Sequence, residues 1–187
     1  MTSPLLRQIP VIFRLDRIKR TGILSGAAAG GIGALLLFAL PGIKIGFFAR
    51  VAARVASLFL GTPVLRVDEG WLLPSRPEPI VVSAACSGAD FWLITVVLLA
   101  WQLGRGNSSA AKTIPLALLC ATPFSIAVNS IRIVAVTQAH RWFIPLWPAN
   151  YAAFFHQFTG VAVFLPALIL LHAFLENYRS QRVHSAH

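Results

Sequence analysis

The chain has 187 residues, of which 57% are hydrophobic and only 12% are charged. Soluble domains carry about 25% charged residues, so this composition argues against a soluble globular domain and indicates an integral membrane protein. The formal net charge of +10 would suggest nucleic-acid binding in a soluble protein. Here nearly all basic residues lie at the ends of apolar runs. This pattern indicates cytoplasmic anchoring and contact with anionic membrane lipids, so no nucleic-acid partner is expected.

Four apolar segments are long enough to cross a bilayer, which takes about 20 residues. They cover about residues 21–40, 84–103, 113–132 and 153–174, and the third helix is expected to continue toward His140. The first segment has no signal-peptide cleavage pattern in a polar context, so it is interpreted as a retained span. Within it, Gly22, Gly26 and Gly30 have the small-xxx-small spacing of closely packed helices. The predicted fold is an all-α integral membrane protein with one domain over residues 1–187.

Basic residues predict which side of the membrane each end faces. Five of them precede the first span, two lie in the turn between the second and third spans, and two follow the fourth. The positive-inside tendency therefore places residues 1–20 and the tail at 176–187 in the cytoplasm. Between the third and fourth spans, prolines and aromatic residues from Trp142 to Tyr151 predict an interfacial loop outside the cytoplasm.

The segment between the first two spans differs from them in composition. Residues 43–60 are apolar but contain Lys44, Arg50 and Arg54, and a central Arg costs roughly 2.5 to 3.5 kcal/mol on insertion scales. An amphipathic helix along the membrane interface is therefore predicted there. Residues 61–83 are rich in Gly and Pro around the β-prone pieces 64–67 and 80–82. They predict a small extended or hairpin element outside the membrane.

Two cysteines are too few for a disulfide framework, and no Cys/His cluster has zinc spacing, so no metal or other cofactor is expected. Cys120 lies in an apolar run and is predicted to be a small buried thiol. Cys86 instead lies just before a helix predicted to start near Ala89. Helix N-terminal amides favour a thiolate, which makes Cys86 a candidate nucleophile, although a structural role is the alternative for a lone cysteine at a membrane boundary.

Arg132 and His156 are the other candidates. A charge among the aliphatic residues around Arg132 is costly unless it is paired, faces a polar cavity or snorkels to the head groups. His156, near the start of the fourth span, could equally be a hydrogen-bonded packing residue. However, Cys86, Arg132 and His156 each lie 17 to 19 residues from the cytoplasmic end of their span, or roughly 26 to 29 Å of helix. They therefore reach one extracytoplasmic layer. His140 is the rival imidazole at that level, whereas His172 lies about 24 Å of helix below His156.

The motifs around these residues resemble those of the exosortase/archaeosortase family. Ala85-Cys86-Ser87-Gly88 is followed by Asn129-Ser130-Ile131-Arg132-Ile133 and then by His156-Gln157-Phe158-Thr159-Gly160. Each motif is short, but the three in this order, each at the outer end of a predicted span, are jointly specific. The resemblance covers about residues 56–170, and the chain is similar to the compact members of the family.

The resemblance implies a membrane cysteine transpeptidase or protease. Its substrates would be exported proteins with a C-terminal sorting signal, which combines a short motif such as Pro-Glu-Pro, a transmembrane helix and a basic tail. Cys86 would attack the scissile carbonyl, His156 would transfer the proton, and Arg132 would stabilise the thiolate or oxyanion. An amine acceptor or water would resolve the acyl-enzyme. The resemblance also implies a multi-pass protein of the cytoplasmic (inner) membrane, with its active site on the extracytoplasmic side. Asn129 and Asp90 are candidate orienting residues.

Two other classes of function remain open on the sequence. A non-catalytic membrane scaffold or assembly factor would use the glycines of the first span and the interfacial helix. A transporter would need polar residues at the bilayer midplane, where the predicted spans offer little beyond Ser125.

Overall fold

The computed structural model describes residues 5–40, 42–75, 79–105, 109–143 and 152–184. Five α-helices and a three-stranded sheet account for most of this part of the chain. The helices are α1 (Leu5–Ala39), α2 (Arg50–Leu60), α3 (Ala89–Gly104), α4 (Ala110–Phe143) and α5 (Ala152–His184). The strands are β1 (Leu65–Val67), β2 (Gly70–Leu73) and β3 (Ile80–Val82). A π-helical segment, Lys44–Ala49, leads into α2, and a 3-10 turn, Ala84–Cys86, precedes α3.

Four segments of the described residues are long and apolar enough to cross a membrane. They are Arg20–Ala39, Ala84–Gly104, Ala110–Trp142 and His156–Gln181. Each coincides with one of the four predicted spans, so the prediction of an all-α, multi-pass membrane protein is confirmed. The third helix continues past His140, as expected, while most of the predicted aromatic loop at residues 142–151 lies outside the described residues.

The chain divides into two compact units, of which the first comprises residues 1–36 and 93–122. In this unit the glycines of α1 lie directly against α3. A Cβ atom at Gly22 would lie 3.0 Å from the Trp101 carbonyl oxygen, and one at Gly30 would lie 2.9 Å from Val97 Cγ2. Since any larger residue would separate the helices, the small-xxx-small prediction of close packing is confirmed.

Cys120, in the same unit, is exposed, so the prediction of a buried thiol was wrong. The buried positions of this part of α4 are Thr113, Ala117 and Ala121, which recur every four residues on one face. Cys120 precedes Ala121 by one position and is therefore rotated by about 100° away from that face. Apolar flanking residues indicate a membrane environment here, but they do not indicate whether a side chain faces protein or lipid.

The second unit comprises residues 37–92 and 123–187 and contains the sheet. Both strand pairs are antiparallel, in the order β1-β2-β3, with Leu65 opposite Leu72 and Leu73 opposite Ile80. The two predicted β-prone pieces correspond to β1 and β3. The middle strand was missed, because Gly70 and the turn before it interrupt the apolar pattern.

One face of the sheet packs on α2 and α4. The core there consists of alanines from α2 and from the end of the π-helical segment before it, two strand residues and one α4 residue: Ala49, Ala52, Ala53, Ala56, Leu73, Val82 and Ile133. Leu58 and Phe59, which share the apolar side of α2, are 81% and 76% exposed. The helix therefore buries an alanine face in the protein and leaves Leu58 and Phe59 outside, as it does Arg54. This distribution fits the predicted interfacial helix.

Candidate active site

Cys86 is held in a short turn between β3 and α3. Its backbone N–H donates to the Ser83 carbonyl oxygen at 3.1 Å. The Ser87 hydroxyl donates to the Ala84 carbonyl oxygen at 2.7 Å and accepts from the Ala89 N–H at 3.3 Å. One serine thus closes the turn and satisfies an N–H group at the start of the next helix, as helix-capping hydroxyls do. The expected helix start near Ala89 is confirmed.

Gly88 and Asn129 fix the same turn from the other side. Gly88 has a φ of +76°, and a Cβ atom there would lie 2.7 Å from Asn129 Cγ. A side chain at this position would therefore be strained and would also collide with Asn129. The Asn129 side chain is completely buried, and its Nδ2 donates to the Cys86 carbonyl oxygen at 3.0 Å. The missing Cβ is what allows this amide to reach the backbone of Cys86.

The three predicted site residues meet at one imidazole nitrogen. Cys86 Sγ lies 3.2 Å from His156 Nε2, and Arg132 Nη2 lies 2.9 Å from the same nitrogen. A guanidinium can only donate, so the hydrogen bond from Arg132 requires an unprotonated Nε2. In this arrangement Nε2 is also the acceptor available to the Cys86 thiol. The geometry is that of a nucleophile next to a base, with a permanent cation at the same nitrogen of that base.

Arg132 is buried, with 7% of its surface exposed, which does not fit a side chain that snorkels out to the head groups. Its Cζ lies 5.3 Å from the centre of the Phe164 ring, and its Nε is buried with no hydrogen-bond partner. Among the described residues no carboxylate forms an ion pair with it. The guanidinium therefore carries a charge that no described carboxylate compensates, and it contacts the same imidazole nitrogen as Cys86, as an anion-binding group near the nucleophile requires.

The cluster opens into a cavity whose other walls are aliphatic. Cys86, Arg132 and His156 line this cavity together with all three residues of β3 and two residues of α4: Ile80, Val81, Val82, Ile133 and Val136. The reacting groups thus lie in an apolar environment, where electrostatic interactions are stronger than in water.

Other candidates from the sequence lie elsewhere. His140 is eight residues beyond Arg132 on α4, about 12 Å along the helix, and is not among the residues that line this cavity. Asp90 is 80% exposed and forms an ion pair with Lys44 at 3.1 Å, so its predicted orienting role at Cys86 is wrong. The corresponding expectation for Asn129 agrees with its hydrogen bond to Cys86.

Gly160 belongs to the third motif, but its contact with Arg132 was not predicted from the sequence, and Phe164 was not identified at all. A Cβ atom at Gly160 would lie 3.2 Å from Arg132 Nε, so this glycine makes room for the guanidinium, and the Phe164 ring lies beside it. His156, Gly160 and Phe164 follow one another at intervals of four residues, which places them on one face of α5. This four-residue spacing was the sequence signal that could have shown both residues to lie beside His156.

The cluster contains one cysteine, one histidine and no carboxylate. In the part of the chain that the structure describes, no group of three His, Cys, Asp or Glu residues could hold a metal ion. The thiol, imidazole and guanidinium that are present can serve as nucleophile, base and anion-binding group.

The chain is thus a multi-pass membrane protein in which Cys, His and Arg side chains meet at an apolar cavity. Comparison with protein families matches residues 24–173 to the transmembrane exosortase family. The chain belongs to this family, as the resemblance of its three motifs predicted. Searches of curated proteins and of solved structures gave no match.

Proposed function

We propose that the protein is a membrane cysteine transpeptidase or protease that cleaves the C-terminal sorting signal of exported proteins. The observation that carries this proposal is the convergence of Cys86 Sγ and Arg132 Nη2 on His156 Nε2. Membership of the transmembrane exosortase family supports the same function, because it points to a peptidase or transpeptidase that acts in protein sorting. The substrates would carry a short motif, a transmembrane helix and a basic tail.

The first chemical step uses the contacts of the resting site. His156 Nε2 takes the thiol proton while Cys86 Sγ forms a bond to the carbonyl carbon of the scissile peptide, whose oxygen becomes an oxyanion. Once Nε2 carries a proton it no longer accepts from Arg132. The guanidinium is then free to donate to the oxyanion, which is the charge that most needs stabilisation in the transition state.

The intermediate then collapses. The carbon–nitrogen bond breaks, the leaving amine takes the proton from His156 Nε2, and a thioester remains on Cys86. An amine acceptor or water attacks the thioester carbonyl and gives its proton to His156, which returns it to the departing thiolate. The site lies on the extracytoplasmic side of the membrane in this proposal, at the layer where the motif of a membrane-anchored substrate would emerge.

The alternative, a non-catalytic scaffold, would rely on the glycines of α1 as a surface for partner helices. Gly22, Gly26 and Gly30 instead lie against Trp101 and Val97 of the protein itself. Because these glycines pack against another helix of the same protein, the scaffold alternative is weakened.

The test is co-expression of the protein with exported candidates that end in a motif, a transmembrane helix and a basic tail. The wild type should shorten at least one candidate, and Cys86→Ala should abolish this processing. Cys120→Ala is the matched control, since Cys120 is an exposed cysteine outside the cluster, and it should process like the wild type. Unchanged processing by Cys86→Ala would refute the proposal.

A further inference from the structure

In the proposed reaction the Arg132 guanidinium loses its hydrogen bond to His156 at a critical step. In the resting site Nη2 donates to His156 Nε2 at 2.9 Å. When Nε2 takes the thiol proton it can no longer accept, so this bond is lost just as the oxyanion forms. A long side chain that is released from its partner regains rotamer freedom, and its donors lose their fixed direction. The guanidinium therefore needs a second contact that persists through the step.

An aromatic ring on α5 provides such a contact. Arg132 Cζ lies over the ring of Phe164, 5.3 Å from its centre, which is within the limit of about 6 Å for a cation–π interaction. Arg132 is buried and Phe164 is half-buried, and a cation–π interaction is strongest when it is shielded from water. A ring also holds the cation without neutralising its charge, whereas a carboxylate partner would compete with the oxyanion for the same donors.

The Phe164 ring is itself held by a second ring. Phe91 and Phe164 are stacked, with ring centres 4.3 Å apart and an angle of 13° between the ring planes. Phe91 is 3% exposed and lies in the first turn of α3, the helix that follows the Cys86 turn. Gly160, one turn before Phe164 on α5, leaves room for the guanidinium, as described above. Packing therefore fixes the ring that contacts Arg132.

From these contacts, and resting on the proposed function, we infer that Phe164 is a positioning residue for the Arg132 guanidinium. Its ring holds the guanidinium in the site while His156 carries the proton, so that Nη2 can donate to the oxyanion. In the ground state His156 also holds Arg132, so loss of the ring is felt mainly after proton transfer. An interaction that matters mainly in the transition state affects kcat and leaves KM unchanged.

Fluorinated phenylalanines at position 164 test this role. Fluorine withdraws electron density from the ring face and weakens the cation–π interaction, while the ring changes little in size. The measurement is kcat and KM for an exported reporter that the wild type cleaves, with monofluoro, difluoro and trifluoro variants at matched membrane levels. We expect kcat to fall with each added fluorine, to roughly tenfold below the wild type, at unchanged KM. The same series at Phe174, which is 66% exposed on α5, is the matched control and should leave kcat unchanged.

Phe164→Leu removes the aromatic face and keeps an apolar side chain, so it should lower kcat at least as much as the trifluoro variant does. A constant kcat across the fluorine series, or equal losses at positions 164 and 174, would show that Phe164 only fills space. Either result would overturn the inference and leave the proposed function intact. A rise in KM at constant kcat would also overturn it, because the ring would then act on substrate binding.

A second measurement does not depend on cleavage. The purified full chain carries a single para-fluorophenylalanine at position 164, and its fluorine NMR signal is recorded with Arg132 and with Arg132→Gln. The signal should move when the guanidinium is removed, whereas the signal of the same label at Phe174 should stay in place. An unmoved signal at position 164 would overturn the inference. Failure of the wild type to cleave any candidate would instead count against the proposed function itself.

Discussion

The side-chain amide of Asn129 holds the backbone of Cys86, with Nδ2 at 3.0 Å from the Cys86 carbonyl oxygen. Asn129 lies three residues before Arg132 on α4, which is about 4.5 Å along the helix axis. One helix therefore positions both the guanidinium and the turn that presents the thiol. We infer that Asn129 is a positioning residue, because it acts on the nucleophile through the backbone and not by contact with the thiol.

Asn129→Asp should slow processing at least roughly tenfold while the protein still accumulates in the membrane. Aspartate keeps the shape of asparagine but replaces the donor with a second acceptor, so the Cys86 carbonyl loses its partner and a buried repulsion is created. The measurement is the processing rate of a cleaved reporter per unit of membrane-embedded protein. Asn177→Asp, the same change at an exposed site on α5, should be neutral. Equal rates for both variants would remove Asn129 from the site.

Gly88→Ala should be more damaging than a change of backbone conformation alone explains. A left-handed φ costs a non-glycine residue roughly 1 to 2 kcal/mol, and Gly88 has a φ of +76°. In addition, the new Cβ would meet Asn129 Cγ at 2.7 Å. Processing should therefore be lost, because Asn129 or the Cys86 turn has to move.

Gly61→Ala separates these two effects. Gly61 has a φ of +64°, but no atom of the described residues lies within 4 Å of the position that its Cβ would occupy. Its substitution therefore adds conformational strain without a collision. The processing rate of Gly61→Ala per unit of membrane-embedded protein should stay near that of the wild type. If Gly61→Ala and Gly88→Ala lose processing equally, contact with Asn129 is not the reason that position 88 is glycine.

The sequence could predict those features that depend on apolar length and periodicity. Local sequence patterns predict the four spans, the start of α3 near Ala89 and the glycine face of α1. The meeting of three site residues was expected from their distances along the helices, which give depth in the membrane. Depth alone does not give contact, so the shared hydrogen bonds to His156 Nε2 required the tertiary structure.

Features that depend on which way a side chain faces were harder to predict. The predictions of a buried Cys120 and of an Asp90 that orients Cys86 were both wrong. Apolar neighbours, or closeness to Cys86 along the chain, do not show which way a side chain faces. The strand β2 was missed because Gly70 and the turn before it interrupt the apolar pattern, so that its pairing with β1 and β3 required the tertiary structure. The interaction of Arg132 with Phe164 connects two helices and has no local signature beyond the four-residue spacing on α5.

The proposed location of the site predicts a specific topology. Reporter fusions placed after Leu60 and within residues 105–112 should report opposite sides of the membrane, with the first outside the cytoplasm. The reason is that a single span, Ala84–Gly104, separates the two fusion points. Activity of reporters specific for each compartment provides the measurement. Fusions that report the same side would refute the four-span arrangement and with it the extracytoplasmic site.

His156→Ala should abolish processing, since it removes the imidazole that contacts Cys86 and the acceptor for the Arg132 donor. His140→Ala should retain substantial processing, because His140 lies about 12 Å along α4 from Arg132. Both variants are compared at matched membrane levels with the same reporter. If His140→Ala is inactive and His156→Ala is not, the role of proton carrier belongs to His140.

Arg132→Lys distinguishes a chemical role for the guanidinium from an anchoring role. A lysine would serve equally well at the head groups, since its ammonium can snorkel. In the cluster, however, the planar guanidinium holds its donors in fixed directions, with Nη2 on His156 until that nitrogen is protonated, and a single ammonium does not reproduce this geometry.

We therefore expect Arg132→Lys to accumulate normally and to process the reporter at least about tenfold more slowly. Tenfold is a lower bound, because loss of one oxyanion donor lowers turnover by about 100-fold to 1000-fold in a serine protease. Arg54→Lys is the matched control, since Arg54 is exposed on α2 and its replacement should leave the rate unchanged. A processing rate for Arg132→Lys close to that of Arg54→Lys would mean that processing does not need the N–H donors of the Arg132 guanidinium. The surviving hypothesis would then be a Cys86–His156 pair that works without help from the guanidinium.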